Sequence, residues 1–152
     1  MIDIKAPIIP FEGTERIKLY QSLDETKSLL SAEGIVYREE YWSAESETVP
    51  NPWNVIVIDG IASLFFARNK KLFKIVFWEN YQGALPNGVH TGMSMDDALS
   101  CDCSLRYDDW NEVYISDAGY WIEDNLETKQ VMSISVFIKE LLDDNSFDYC
   151  EW

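Results

Sequence analysis

Trp53-Asn54-Val55-Ile56-Val57-Ile58-Asp59-Gly60-Ile61-Ala62-Ser63-Leu64-Phe65-Phe66-Ala67-Arg68 sets two apolar runs of strand length on either side of an Asp-Gly pair. β-Branched and aromatic side chains dominate both runs, and such side chains fit a pleated, half-buried surface. Asp-Gly accepts the positive φ of a two-residue hairpin turn, so the pattern predicts antiparallel strands over Trp53–Ile58 and Ile61–Arg68 joined at Asp59-Gly60. Downstream, a short Asn69-Lys70-Lys71 turn leads to a third strand over Leu72–Glu79. Upstream, Ile35–Trp42 alternates aliphatic or aromatic residues with Arg38 and Glu40, as a strand with one buried face does. Pro50, Asn51 and Pro52 mark a loop over Ser43–Pro52.

Ahead of these strands stands Ile17-Lys18-Leu19-Tyr20-Gln21-Ser22-Leu23-Asp24-Glu25, which lines up with Val89-His90-Thr91-Gly92-Met93-Ser94-Met95-Asp96-Asp97. In both, a Ser precedes an apolar residue and two acids. The hydroxyl can accept a hydrogen bond from an orphan N–H of the first helical turn, and both acids favour the positive end of the helix dipole. The spacing predicts a helix over Leu23–Glu33, stopped by the left-handed conformation open to Gly34. It predicts a shorter helix from Met95 to about Cys101.

The second helix start is again followed by short strand signals, at Leu105–Trp110, Glu112–Ser116 and Tyr120–Asp124, with a turn at Ser116-Asp117-Ala118-Gly119. Gln130–Ile138 reads as a buried final strand. Lys139–Asp144 fits a short helix or a tail; residues 143–152 are read as a tail, whose ending Asp148-Tyr149-Cys150-Glu151-Trp152 is expected to be loosely held. The expected fold class is α+β: antiparallel sheet with two short helices, in one domain over residues 1–152. A helix-plus-meander unit is expected to occur twice, over about residues 13–82 and 86–142, with Gly83–Gly88 as the joint. A single curved sheet carrying both helices on one face is the other arrangement the pattern allows.

Charge narrows the function classes. The formal net charge is -15, from 27 acidic and 12 basic residues. Residues 101–152 hold 13 acids against 3 bases, so two-thirds of the excess lies in the last third of the chain. Such a field opposes nucleic acid and anionic membrane surfaces, and attracts a basic protein. No apolar run approaches the ~20 residues that span a bilayer, and the first residues lack a signal-peptide layout. Cys101, Cys103 and Cys150 are an odd set, expected to be free thiols in a cytoplasm. The oligomeric state is left open.

Catalytic sets are hard to assemble. His90 is the only histidine, so a Ser-His-Asp or Cys-His arrangement has one possible base. The spacing of Gly83, Gly88 and Gly92 does not make a phosphate-cradling loop. Cys101-Asp102-Cys103 lacks the pair spacing and the second pair of common zinc sites. Glu39-Glu40, Asp96-Asp97, Asp108-Asp109 and Glu123-Asp124 are adjacent acids, and neighbours on a strand point to opposite faces. The expectation is therefore no catalytic residue, no metal and no cofactor.

The aromatics carry the positive expectation. Tyr37, Tyr41, Trp42, Tyr107, Trp110, Tyr114, Tyr120 and Trp121 each lie within a few residues of an acid. Rings supply contact area at low entropy cost, and carboxylates pair with Lys and Arg of a basic partner. The candidate partner-binding residues are Asp108, Asp109, Trp110, Glu112, Trp121, Glu123 and Asp124. The alternative is that many of these rings line the core, with the acids on the opposite strand face.

Several stretches together resemble bacterial immunity proteins of contact-dependent growth inhibition and related polymorphic toxin systems. They are Ile17-Lys18-Leu19 leading to Ser22-Leu23-Asp24-Glu25, Tyr107-Asp108-Asp109-Trp110, Gly119-Tyr120-Trp121-Ile122-Glu123, and Ser133-Ile134-Ser135-Val136-Phe137-Ile138-Lys139-Glu140. The resemblance implies a dedicated inhibitor that binds a cognate toxin domain, often a basic nuclease, in the cytoplasm. It assigns no binding residue. Two other classes stay open: a different protein-binding adaptor or enzyme inhibitor, and a small enzyme working with carboxylates alone.

Overall fold

The computed structural model describes residues 3–44 and 51–152. Eight strands form one fully antiparallel sheet: β1 (Arg38–Ala44), β2 (Asn51–Ile58), β3 (Ala62–Phe66), β4 (Leu72–Phe77), β5 (Arg106–Asp108), β6 (Val113–Ser116), β7 (Tyr120–Asn125) and β8 (Gln130–Phe137). Their spatial order is β1-β2-β3-β4-β8-β7-β6-β5. Helix α1 (Leu23–Ala32) precedes the first meander and α2 (Met95–Cys101) the second, so the class is α+β. The alternative of one continuous sheet carrying both helices is the one realised. The 43–52 loop is shorter than its prolines suggest, because β1 extends to Ala44 and β2 begins at Asn51; residues 45–50 of that expectation lie outside the described residues.

Both helices begin where the serines place them. Ser22 Oγ accepts from Glu25 N, and Ser94 Oγ accepts from Asp97 N, each at 3.1 Å. Helix α1 buries Leu23, Thr26 and Leu30, which share one face at helical spacing. It ends at Glu33, followed by Gly34 at φ 69°.

The strand order maps onto itself when β1–β4 are exchanged with β5–β8, as a half-turn about an axis between β4 and β8 requires. The correspondence extends to detail. In each meander the third strand shifts register against the fourth, between Phe65 and Phe66 and between Glu123 and Asp124, with the extra residue in the fourth strand, at Phe73 and Met132. An isolated bridge joins Ser22 to Lys71 in one half and Ser94 to Gln130 in the other. Leu23 N donates to Lys70 O, and Met95 N to Lys129 O. Lys70 and Lys129 are both left-handed, at φ 62° and 57°. Arg38 reaches Asp59 in the β2–β3 turn, and Arg106 reaches Asp117 in the β6–β7 turn at 2.7 Å.

Cross-strand partners share a face. The row Ile56–Leu64–Ile75–Val136–Tyr120 runs through the middle of the sheet and is fully buried. It faces the helices and the loop over residues 3–21, whose Ile8, Ile17 and Leu19 complete the core. The opposite face carries Val55–Phe65–Lys74–Phe137 and Ser63–Val76–Ser135–Trp121.

Two expectations need correction. The β2–β3 connection has three residues, Asp59–Ile61, with Ile58 paired to Ala62. The reason is long-range: Trp78 N and Asn80 N hold the carbonyls of Ile61 and Gly60. The C-terminal segment is also tied down rather than loose. A 3-10 turn over Lys139–Leu142 leads into helix α3 (Asp144–Tyr149). Arg68 donates to the carbonyls of Asp148 and Tyr149, Phe147 packs 4.9 Å from Phe73, and the Trp152 ring stacks on Phe147.

Candidate functional site

The seven sequence-derived interface residues do not share one surface. Trp121 and Glu123 alternate with buried Ile122, so they lie on the face away from the helices. Trp121 packs on Phe137, ring centroids 4.7 Å apart, and is half-buried. Lys74 Nζ lies 5.7 Å from the Trp121 centroid and 4.9 Å from that of Phe65. Burial pushes the Lys74 ammonium below its usual range, and the nearby Glu123 carboxylate only partly offsets it. Glu123 thus faces a cation of its own chain.

Asp108 closes the short edge strand β5 opposite Val113. Its carboxylate accepts from Trp110 N at 3.1 Å and Asn111 Nδ2 at 2.7 Å. The bond from Asn111, the strongest influence, holds the Asp108 carboxyl below the usual range despite some desolvation. Asp108 therefore shapes the β5–β6 hairpin. Asp109, Trp110 and Glu112 stand on the tip it shapes, and Trp110 is 91% exposed.

Asp124 lies on the helix side. Past the bulge it pairs with Val131, and it lines a cleft of about 380 Å³ with Asp96, Leu99, Tyr114, Leu126 and Lys129. Tyr107 pairs with Tyr114 across β5 and β6, and their rings meet edge to face at 5.1 Å. Tyr107 is 47% exposed and Leu126 81%. Desolvation raises the Tyr107 phenol, and the carboxylates of Glu112, Asp109 and Asp124 add to it. Hairpin tip and cleft are thus contiguous through Tyr107: rings and leucines ringed by acids.

The sequence reading missed Asp96, Leu99 and Leu126. The helical spacing of Asp96 and Leu99 was a usable signal, since residues three apart share a helix face. A larger hollow of about 670 Å³ also gathers acids and rings, Glu12 and Glu15 with Phe11 and Tyr20, but it is built by the loop over residues 3–21, outside the acid-rich residues 101–152.

Asp102 ties the C-terminal end of α2 to the β6–β7 turn. It caps α2 and accepts from Ser104 Oγ at 2.6 Å, Ser116 Oγ at 2.5 Å and Tyr120 Oη at 2.5 Å. Asn87 Nδ2 also donates to Tyr120 Oη, at 3.0 Å. Burial alone would raise the Asp102 carboxyl, but the hydroxyls of Ser104, Ser116 and Tyr120 together outweigh it and hold the carboxyl at about 2. The end of α2 is thereby pinned to the β6–β7 hairpin.

His90 Nδ1 lies 2.9 Å from Thr91 O. Cys101, Cys103 and Cys150 are free, the first two exposed. Among the described residues, no group of three or more His, Cys, Asp or Glu side chains converges as a metal site. Among those residues, no helix is long and apolar enough to cross a membrane. The chain matches no protein-family model, no curated protein and no solved structure.

Proposed function

We propose that this chain acts by binding rather than by catalysis, and that it neutralises a basic toxin domain of a polymorphic toxin system in the cytoplasm as its immunity protein. The observation that carries the reading is Trp110, 91% exposed on a hairpin tip between Asp109 and Glu112. Exposed Trp and Tyr rings are enriched where protein partners dock. Tyr and Trp are common energetic anchors of interfaces, and surrounding acids steer a basic partner into place. The excess of 13 acids over 3 bases in residues 101–152 places the strongest negative field at the same end of the chain. The resemblance to immunity proteins of contact-dependent growth inhibition supplies the biological context.

The test is co-expression with the C-terminal toxin domain of any surface effector whose gene adjoins that of this chain. Survival of the cells, with a one-to-one complex recovered at low salt, is the expected result. Cell death with no complex under those conditions rejects the reading.

A further inference from the structure

The two meanders coincide so closely that corresponding positions can be compared, and one comparison is uneven. In the first half, Lys27 on α1 forms an ion pair with Glu39 on β1 at 2.7 Å. Asn54 Nδ2 donates to Glu39 at 3.2 Å, and Lys70 Nζ donates to Asn54 at 2.6 Å. Helix and edge strand are thus laced together by a continuous polar chain. Strand register and the helix caps place Leu99 where the first half has Lys27. They place Tyr107 at the position of Glu39, Glu112 at that of Asn54, and Lys129 at that of Lys70.

The second half therefore keeps one of the two lysines and loses the helix-borne one. Around the vacated place it adds acids: Asp124 stands where the first half has Phe66, and Asp109 where it has Tyr41. Asp96 corresponds to Asp24, whose carboxylate acts on the Lys27 ammonium. The result is an open cleft of about 380 Å³, walled by Met95, Leu99, Tyr114 and Leu126 and bearing the carboxylates of Asp96 and Asp124 together with the retained Lys129.

We infer that the cleft between α2 and strands β5–β7 receives an arginine or lysine side chain of the partner, which takes the position that Lys27 fills in the first half. The choice of occupant follows from charge complementarity and from the twin site. A cation there meets Asp96 and Asp124, two carboxylates against the one ammonium of Lys129, lies against the Tyr114 ring, and rests its methylenes on Leu99 and Leu126. Rings attract cations through their negative faces, and long basic side chains pack their stems on apolar surface. The inference rests on the proposed binding of a basic protein and names where one anchor of that protein goes.

The probe is a tetra-arginine peptide, with a tetra-citrulline peptide as its neutral isostere. Backbone amide shifts of the intact, isotope-labelled protein are followed during titration. Arginine-dependent shifts are expected on α2, β5, β6 and the Asn125–Lys129 turn, and not around Lys27 and Glu39. Leu99→Lys installs the twin's cation and should weaken peptide binding about fivefold. Asp124→Asn should act in the same direction and serves where Leu99→Lys fails to fold. Shifts spread evenly over the acidic surface, or an affinity unchanged by whichever variant folds, overturn the inference. The two readings fail separately. A toxin complex that forms while the peptide ignores the cleft leaves only the proposed function standing, and the reverse result leaves only the cleft.

Discussion

Removing the Asp102 carboxylate should loosen the junction between the end of α2 and the β6–β7 hairpin. In Asp102→Ala, Tyr120 Oη keeps the donor from Asn87 but loses the acceptor at 2.5 Å for its own proton. The Tyr120 side chain is fully buried, so water cannot easily take that place. Ser116 Oγ loses its 2.5 Å partner and keeps a 3.4 Å contact with Ser104. Leaving one buried hydroxyl unsatisfied costs about 1–3 kcal/mol, and a charge-assisted bond at a partly exposed site adds about 1 kcal/mol. The expected loss is about 2–4 kcal/mol, or about 5–15 °C in Tm for a domain of this size. Because the folded carboxyl is held at about 2, below its unfolded value, the stabilisation is present above about pH 4. It fades as pH falls from about 4 through 2. The gap in stability between wild type and variant, measured by urea unfolding, should be widest near neutrality and narrow across that window. Taking the difference cancels the response of the other acids. A gap below about 0.5 kcal/mol at pH 7, or one that widens toward pH 3, would refute the reasoning.

Lys74→Met removes an ammonium that burial disfavours more than Phe65, Trp121 and Glu123 favour it, so Tm should rise by about 2–4 °C; a fall would show that the ring contacts win. Gly119→Ala puts a Cβ 2.3 Å from the Phe11 ring on a backbone at φ 95°, and should cost about 2–4 kcal/mol by thermal or urea unfolding. Trp110→Ala should leave Tm within about 1 °C, because the ring is 91% exposed, yet weaken the toxin complex by about 2 kcal/mol in titration calorimetry.

Local signals carried further into the structure than long-range ones. The serine caps placed both helix starts to the residue, since Ser22 and Ser94 act on donors three positions away. The apolar run after Gln130 gave β8 because a central strand is buried on both faces. The length of the β2–β3 turn was hidden: it is set by Trp78 and Asn80, distant in sequence from Asp59-Gly60. The anchoring of the last residues was equally hidden, because it depends on Arg68 meeting backbone carbonyls 80 and 81 positions along the chain. For the site, composition located the acidic half but not its surfaces. Strand alternation divides Trp121 and Glu123 from Asp124, and α2 brings in Asp96 and Leu99, which no local pattern tied to β6.

The most direct test of binding through the second half compares two triple variants of equal charge change against the toxin domain. One is Asp109→Asn, Glu112→Gln and Asp124→Asn; the other, in the first half, is Glu12→Gln, Glu15→Gln and Glu79→Gln, all exposed positions. Affinity and association rate are measured from low to physiological salt. The second-half variant should bind about tenfold more weakly and lose most of its salt dependence, mainly through a slower association rate, while the first-half variant stays within about twofold of wild type. Equal losses in the two variants, or a second-half variant that binds like wild type at low salt, would contradict binding through the acidic, aromatic end.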